Sequence, residues 1–142
     1  MTPVVTAQKV IDPADLEKAY AIRNEVFVIG QMVPLELEME NNEVSNHFLA
    51  TVDGEPAGAA RWRKTENGYK LERFAVLDRY RGLGVAQAMV KAVLNDLPED
   101  DAIVYLNSQI LAVGLYEKFN FEKSGPEFEE AGIKHYKMVL RR

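Results

Sequence analysis

The chain has 142 residues, 47% of them apolar and 27% charged, with a formal net charge of −5. This is the profile of a folding chain of single-domain length, residues 1–142, and it excludes a disordered polyelectrolyte. The absence of cysteine removes disulfides, thiolate zinc sites and a cysteine nucleophile; scattered Lys and Arg argue against a nucleic-acid partner, and no run approaches a leader or membrane span, so a cytoplasmic location with no membrane partner is expected.

Asp12, Pro13 and Asp15 open a helix, because Asp caps orphan N–H groups and Pro at the first helical position has no donor to leave unpaired. Leu16, Ala19, Tyr20, Arg23, Val26 and Phe27 then recur at helical spacing, which predicts a helix over residues 13–28. Residues 33–44 mix Leu35, Leu37 and Met39 with Glu36, Glu38, Glu40 and Glu43. They fit either a short helix or a surface loop, with the acidic side chains forming a solvated face or attracting a cationic amine. Residues 47–52 and 57–63 flank Asp53-Gly54, a pair suited to a tight hairpin turn, and Asn67-Gly68 leads into a third antiparallel strand over 69–76. From Val85 the residues Met89, Val90, Val93, Leu94 and Leu97 form a helical stripe that Pro98 ends. A strand over 102–106, a short helix over 111–119 and closing strands at 121–123 and 135–140 complete the chain.

Between the third strand and the striped helix lies Arg81-Gly82-Leu83-Gly84-Val85-Ala86. Two glycines let the backbone turn sharply and approach a ligand, and the helix start beyond them offers unpaired N–H groups with partial positive charge, a combination suited to a pyrophosphate. A dinucleotide fingerprint would need glycine at Gln87, and a P-loop would need Lys-Ser/Thr after its last glycine. Both are absent. Two glycines alone are equally consistent with a tight strand-to-helix turn.

The surroundings add more. The loop resembles the acyl-CoA pyrophosphate signature of the GNAT N-acetyltransferase superfamily, matched here by Arg81, Gly84 and Ala86. Four other stretches extend the likeness over nearly the whole chain: Ile22 to Val28 and Leu71 to Val76 before the loop, and Asn107-Ser108-Gln109 and Leu115 to Phe121 after it. Residues 23–34 and 130–135 look like a bacterial subgroup of small members, some described as amino-sugar-phosphate acetyltransferases; Gly30 and Asn41-Asn42 depart from it where acidic residues are expected. The resemblance implies an α/β (α+β) fold with a mixed, mostly antiparallel sheet, splayed central parallel strands and flanking helices. It also implies acetyl-CoA as co-substrate, a primary amine as acceptor, direct acyl transfer without a side-chain nucleophile, and frequent homodimers.

Residue by residue, the same likeness implies that backbone groups at Phe74, Ala75 and Val76 pair with the pantetheine amides and polarise the thioester. Arg81, Gly82, Leu83, Gly84, Val85 and Ala86 would hold the pyrophosphate, with Asn107 as a further cofactor contact. Tyr116 matches the family's tyrosine and would protonate or hydrogen-bond the leaving thiolate; its plainer role is an aromatic packing a short helix. Glu72 is placed as a base on one face with Phe74 and Val76, or as a strand carboxylate paired with Arg61 or Arg63. For the acceptor pocket the candidates are Arg23, Phe27, Arg73, Gln109 and His135, although Phe27 also fits the core and Arg23 a surface ion pair. His47 and His135 lack metal-ligand spacing, so no metal is expected. A phosphorylated acceptor would require Arg23, Arg61, Arg63 and Arg73 to meet near the cleft, which the sequence cannot decide. An acyl-CoA-binding sensor without catalysis, or an enzyme acting on protein lysines or N-termini, stays open as an alternative.

Overall fold

The computed structural model describes residues 2–141. Its framework is a mixed eight-stranded sheet built from β1 (Val5–Lys9), β2 (Asn46–Val52), β3 (Glu55–Thr65), β4 (Gly68–Val76), β5 (Val104–Gln109), β6 (Phe121–Lys123), β7 (Phe128–Glu130) and β8 (Ile133–Leu140). The strand order is β1-β2-β3-β4-β5-β8-β6, with β7 joined to β8. β4 and β5 run parallel; the other neighbours are antiparallel. The helices are α1 (Pro13–Arg23), α2 (Leu35–Met39), α3 (Val85–Asp96) and α4 (Val113–Glu117). None of those described is long and apolar enough to cross a membrane.

Local chemistry accounts for most of these elements. Asp12 Oδ1 accepts the Asp15 N–H at 2.8 Å, capping α1. The expected helix over 13–28 divides at Arg23, and Asn24–Ile29 continue as a π-helical turn whose Gly30 N–H reaches the Glu25 carbonyl at 2.9 Å. That longer bond adds a residue to the turn and resets the phase of the side chains beyond it. The ambiguous stretch 33–44 resolves into α2 and a 3₁₀ turn at Asn42–Val44. Asp53 and Gly54 take the positive φ angles the β2–β3 turn needs. Two strands went unread: β1, which zips onto β2, and β7, which forms a hairpin with β8 across Ala131 and Gly132, both at positive φ. The helix expected over 111–119 is shorter, and the strand expected over 102–106 begins at Val104 and extends to Gln109.

Small residues in β3 let helices press on both faces. Ala60, Trp62, Phe48 and Leu71 pack with Val85, Met89, Val90 and Val93 of α3 and with Val113 and Tyr116 of α4. Leu49, Ala59 and Ala75 pack on the other face with Ala19 and Ile22 of α1.

Two irregularities shape the centre of the sheet. In the β3–β4 ladder Ala59 faces Ala75 and Arg61 faces Glu72, so Arg73 and Phe74 together oppose the single residue Ala60. Arg73 sits at φ 60°, the left-handed conformation typical of a bulge. The extra residue overturns the expectation that Glu72, Phe74 and Val76 share a face: Glu72 stands with Ala75 on the α1 side, while Phe74 and Val76 turn toward the α3 side. The second irregularity is between β4 and β5, which pair from Tyr69–Val104 to Leu71–Leu106 and no further. Beyond that point β4 stays on β3 and β5 stays on β8, so the parallel strands splay and leave a gap.

Gly58 tests the closeness of α3. A Cβ there would lie 2.9 Å from Val85 Cγ1 and 3.0 Å from both the Ala75 carbonyl oxygen and Met89 Cε. Gly58→Ala is expected to destabilise the fold by about 1–3 kcal/mol through overpacking, read as a lowered urea midpoint with unchanged slope.

Candidate active site

The gap between β4 and β5 is a cleft of about 320 Å³ whose walls include Phe74, Ala75 and Val76 on one side and Leu106, Asn107, Ser108 and Gln109 on the other, with Tyr116 and Arg81 also lining it. It opens into a second chamber of about 130 Å³ on the α1 side of the sheet. Phe27, Gln31, Lys70, Glu72, Arg73, Gln109, Glu130 and His135 line both. They mark the junction where a group held in the cleft meets one held in the chamber.

Within the cleft, β4 from Glu72 to Val76 has no partner strand on the β5 side, so backbone donors and acceptors face the gap. Tyr116 is buried, its ring edge-on to Phe74 at 5.7 Å and to Phe121 at 6.0 Å. Burial raises the phenol's pKa above its ordinary value of 10, so the hydroxyl stays protonated and able to donate. Of the glycine loop, Arg81 reaches the cleft and pairs with Asp78 at 3.1 Å. Gly82 and Gly84 adopt φ 80° and 84°, and Gly84 is the N-cap of α3, whose first N–H groups have no side-chain cap. Val85 is a core residue against Met89; only its backbone, with those of Leu83 and Ala86, is available for an anion.

The chamber wall carries a network of buried charge. Arg23, expected at the surface, is 0% exposed and lines neither cavity. It donates to Glu38 Oε1 at 2.7 Å, to the Glu38 carbonyl at 3.0 Å and to Asn42 Oδ1 at 2.7 Å. Arg61 donates to the same Asn42 oxygen at 2.7 Å and to Glu72 Oε1 at 2.7 and 3.0 Å. Glu72 Oε1 also accepts from Arg63 at 2.6 Å, and Lys70 Nζ is 3.3 Å from Oε2. Arg73 donates to the Leu37 carbonyl at 3.0 Å and lies 4.0 Å from Glu38 Oε1. The four arginines a phosphorylated acceptor would need are therefore in one network, joined by Lys70.

Each charge feels its neighbours. Burial would raise the Glu72 carboxyl, but Arg61, Lys70 and Arg63 overcome this and bring it from 4.5 to about 2. Burial lowers Arg61 from its ordinary value to about 10 against the pull of Glu72, leaving it protonated at neutral pH. Burial likewise lowers Arg23, with Glu38 opposing. His47 is structural: Nε2 lies 2.8 Å from the Asn42 carbonyl, its ring meets Tyr20 edge-on, and burial lowers its pKa. Glu38, read from sequence as part of a solvated acidic face, is buried because Arg23 draws it in. Its Oε2 has no hydrogen-bond partner among the described residues.

Among the remaining sequence candidates, Phe27 lines the junction and also packs against the core cluster under α1, and Gln109 exchanges hydrogen bonds with Gln31 at 2.8 and 3.2 Å. Asn107 lines only the cleft. Gln31, Glu38, Asn42, Lys70 and Glu130 were missed. Lys70 alternates with Glu72 along one strand and Arg61 with Arg63 along its neighbour, a pattern that carried the signal; nothing local marks Asn42. No group of three or more His, Asp or Glu among the described residues could hold a metal ion.

Residues 2–142 match the acetyltransferase (GNAT) domain family. The uncharacterised N-acetyltransferase YjcF of Bacillus subtilis is 39% identical over 127 residues, spanning 87% of this chain and 91% of its own. The uncharacterised protein YyaT of the same organism is 32% identical over 137 residues, 93% of each chain. An acyl-CoA N-acyltransferase from Pseudomonas aeruginosa superposes with a TM-score of 0.81 at 21% identity over 98% of this chain and 99% of that one. ElaA of Escherichia coli does so with 0.78 at 22% identity and the same coverage. These structures share the fold.

Because its folded carboxyl pKa lies below the unfolded value, Glu72 contributes stability above pH 4.5 that is lost as pH falls toward about 2. Urea midpoints across that window should decline in the wild type. Glu72→Gln should be less stable at neutral pH, with Arg61 left uncompensated, and should show a flatter acid decline.

Proposed function

Since the chain belongs to the GNAT acetyltransferase family, we propose that it transfers the acetyl group of acetyl-CoA to a primary amine on a small acceptor that also carries an anionic group. The observation that carries this reading is the junction: a cleft floored by unpaired β4 backbone opens into a chamber walled by Arg61, Arg63, Lys70 and Arg73.

The splayed edge of β4 from Phe74 to Val76 binds the pantetheine amides as an added strand, and an N–H there stabilises the oxyanion formed when the amine attacks. Gly82 to Ala86 and the uncapped start of α3 hold the pyrophosphate through backbone N–H groups, and Arg81 adds charge. Asn107 contacts the same co-substrate. Tyr116, kept neutral by burial, donates a hydrogen bond to the departing thiolate; its raised pKa makes that role easier than outright proton loss.

Five cations of the network, Arg23, Arg61, Arg63, Lys70 and Arg73, face two carboxylates, Glu38 and Glu72. Arg63, Lys70 and Arg73 remain partly exposed and keep donors for a carboxylate or phosphate. Glu40 and Glu130 line the same chamber and suit an approaching ammonium. A chamber of about 130 Å³ favours a metabolite over a folded protein segment. Glu72 is a poor base in this setting. A carboxylate with a pKa of about 2 has little affinity for the proton an ammonium must lose.

Calorimetry should show saturable acetyl-CoA binding by the wild type, and a thiol-release assay should show faster turnover of amines carrying an anionic group than of matched neutral amines. No acetyl-CoA binding, or no preference between the two amine sets, would count against the reading. Tyr116→Phe should lower turnover while leaving CoA affinity nearly unchanged. Lys70→Gln, which removes a charge-assisted contact, should raise the acceptor KM roughly tenfold or more.

A further inference from the structure

We propose that His135 is the proton acceptor that readies the amine for attack, a role resting on the acetyl transfer proposed above. An amine arrives at neutral pH as an ammonium and must lose one proton before its nitrogen lone pair is free. With Glu72 held ionised and fully engaged by three cations, another group at the junction must take that proton.

The β7–β8 hairpin builds such a group. Phe128 pairs with His135 and Glu130 with Ile133, so Phe128, Glu130 and His135 stand on one face of the hairpin. His135 Nδ1 lies 2.7 Å from the Ile133 carbonyl oxygen. A carbonyl only accepts, so Nδ1 carries the hydrogen and the neutral ring holds its lone pair on Nε2. The Phe128 ring stacks on the imidazole at 5.8 Å and 24°, fixing its plane. Nε2 lies 3.8 Å from Glu130 Oε2, a carboxylate that is itself exposed to solvent.

The position is as telling as the tautomer. His135 is buried yet lines both cleft and chamber. It pairs with Gln109 at the end of β5, across the gap from the unpaired edge of β4. The other charged groups at this junction are Lys70, Glu72 and Arg73 from β4 and Glu130 from β7.

The proton balance closes. His135 Nε2 removes one proton from the ammonium and becomes an imidazolium beside Glu130, which passes that proton to solvent. The neutral nitrogen forms its bond to the acetyl carbon, and the carbon–sulfur bond breaks with its electron pair on sulfur. The second proton lost by nitrogen ends on the thiolate. One amide, one thiol and one solvent proton result.

The test compares an alkylamine, protonated at neutral pH, with an alkoxyamine, already neutral there. In the wild type, turnover of the alkylamine should fall on the acid side while that of the alkoxyamine should not. His135→Gln keeps a donor for the Ile133 carbonyl but no base. It should lower alkylamine turnover by about 100-fold or more, leave the residual rate rising with pH as the free-amine fraction grows, and reduce alkoxyamine turnover and CoA affinity far less. Equal losses for the two amines, or identical wild-type pH profiles, would overturn the assignment; the wild-type comparison stands even if the variant fails to fold. Absence of acetyl transfer to any amine would remove the transfer reading itself and the base with it.

Discussion

One inserted residue in β4 governs the centre of this molecule. By taking a left-handed φ, Arg73 lets β4 carry two residues against one of β3, and the faces beyond it exchange. Residues before the bulge and after it then serve different sides of the sheet. Glu72 points into the polar chamber under α1, whereas Phe74 turns to the α3 side and meets Tyr116. Pairing between β4 and β5 stops in the same stretch, so the bulge coincides with the opening of the cleft. A regular strand would put Glu72 beside Phe74 and would leave no reason for the two cavities to meet where they do.

The buried charge around that bulge is a second constraint, and it is expensive. Taking arginines and carboxylates out of water carries a desolvation penalty that an apolar cluster of the same volume would avoid. Here the penalty is offset by dense pairing: Arg23 and Arg61 share Asn42, Arg61 and Arg63 share Glu72, and Arg23 and Arg73 approach Glu38. The arrangement ties α1, α2, the 3₁₀ turn, β3 and β4 to one another. It fixes the chamber walls with hydrogen bonds whose directions are specific, where apolar packing would leave them free to adapt.

Sequence periodicity revealed the parts governed by local rules. The Asp12 cap, the Asp53-Gly54 turn, the α3 stripe and the glycine loop each depend on neighbours a few residues away, and each stands where its signal placed it. The family resemblance carried the sheet class, the splayed strands and the cleft-lining stretch of β4. Less visible were β1 and β7, short strands stabilised by partners far along the chain, from Lys9–Phe48 to Val5–Val52, or by a turn at Ala131-Gly132 lacking the usual hairpin pair. The π turn after Arg23 and the bulge at Arg73 also escaped, since both are positive or lengthened backbone forms that ordinary residues adopt only under tertiary demand.

The sequence by itself determined the fold family, the glycine turn that opens α3 and the identities of the residues able to do chemistry, because those follow from motif, spacing and residue type. Tertiary structure alone decided which of those residues meet. Strand alternation assigned Glu72 to the wrong face, and the usual preference of a charged residue for water put Arg23 in a surface ion pair. Only the folded chain brings Arg23 to Glu38 across fifteen positions and sets His135 on a carbonyl that fixes its tautomer. Long-range register and burial act between segments whose approach no local pattern encodes, and the roles of charged groups at this site follow from that approach.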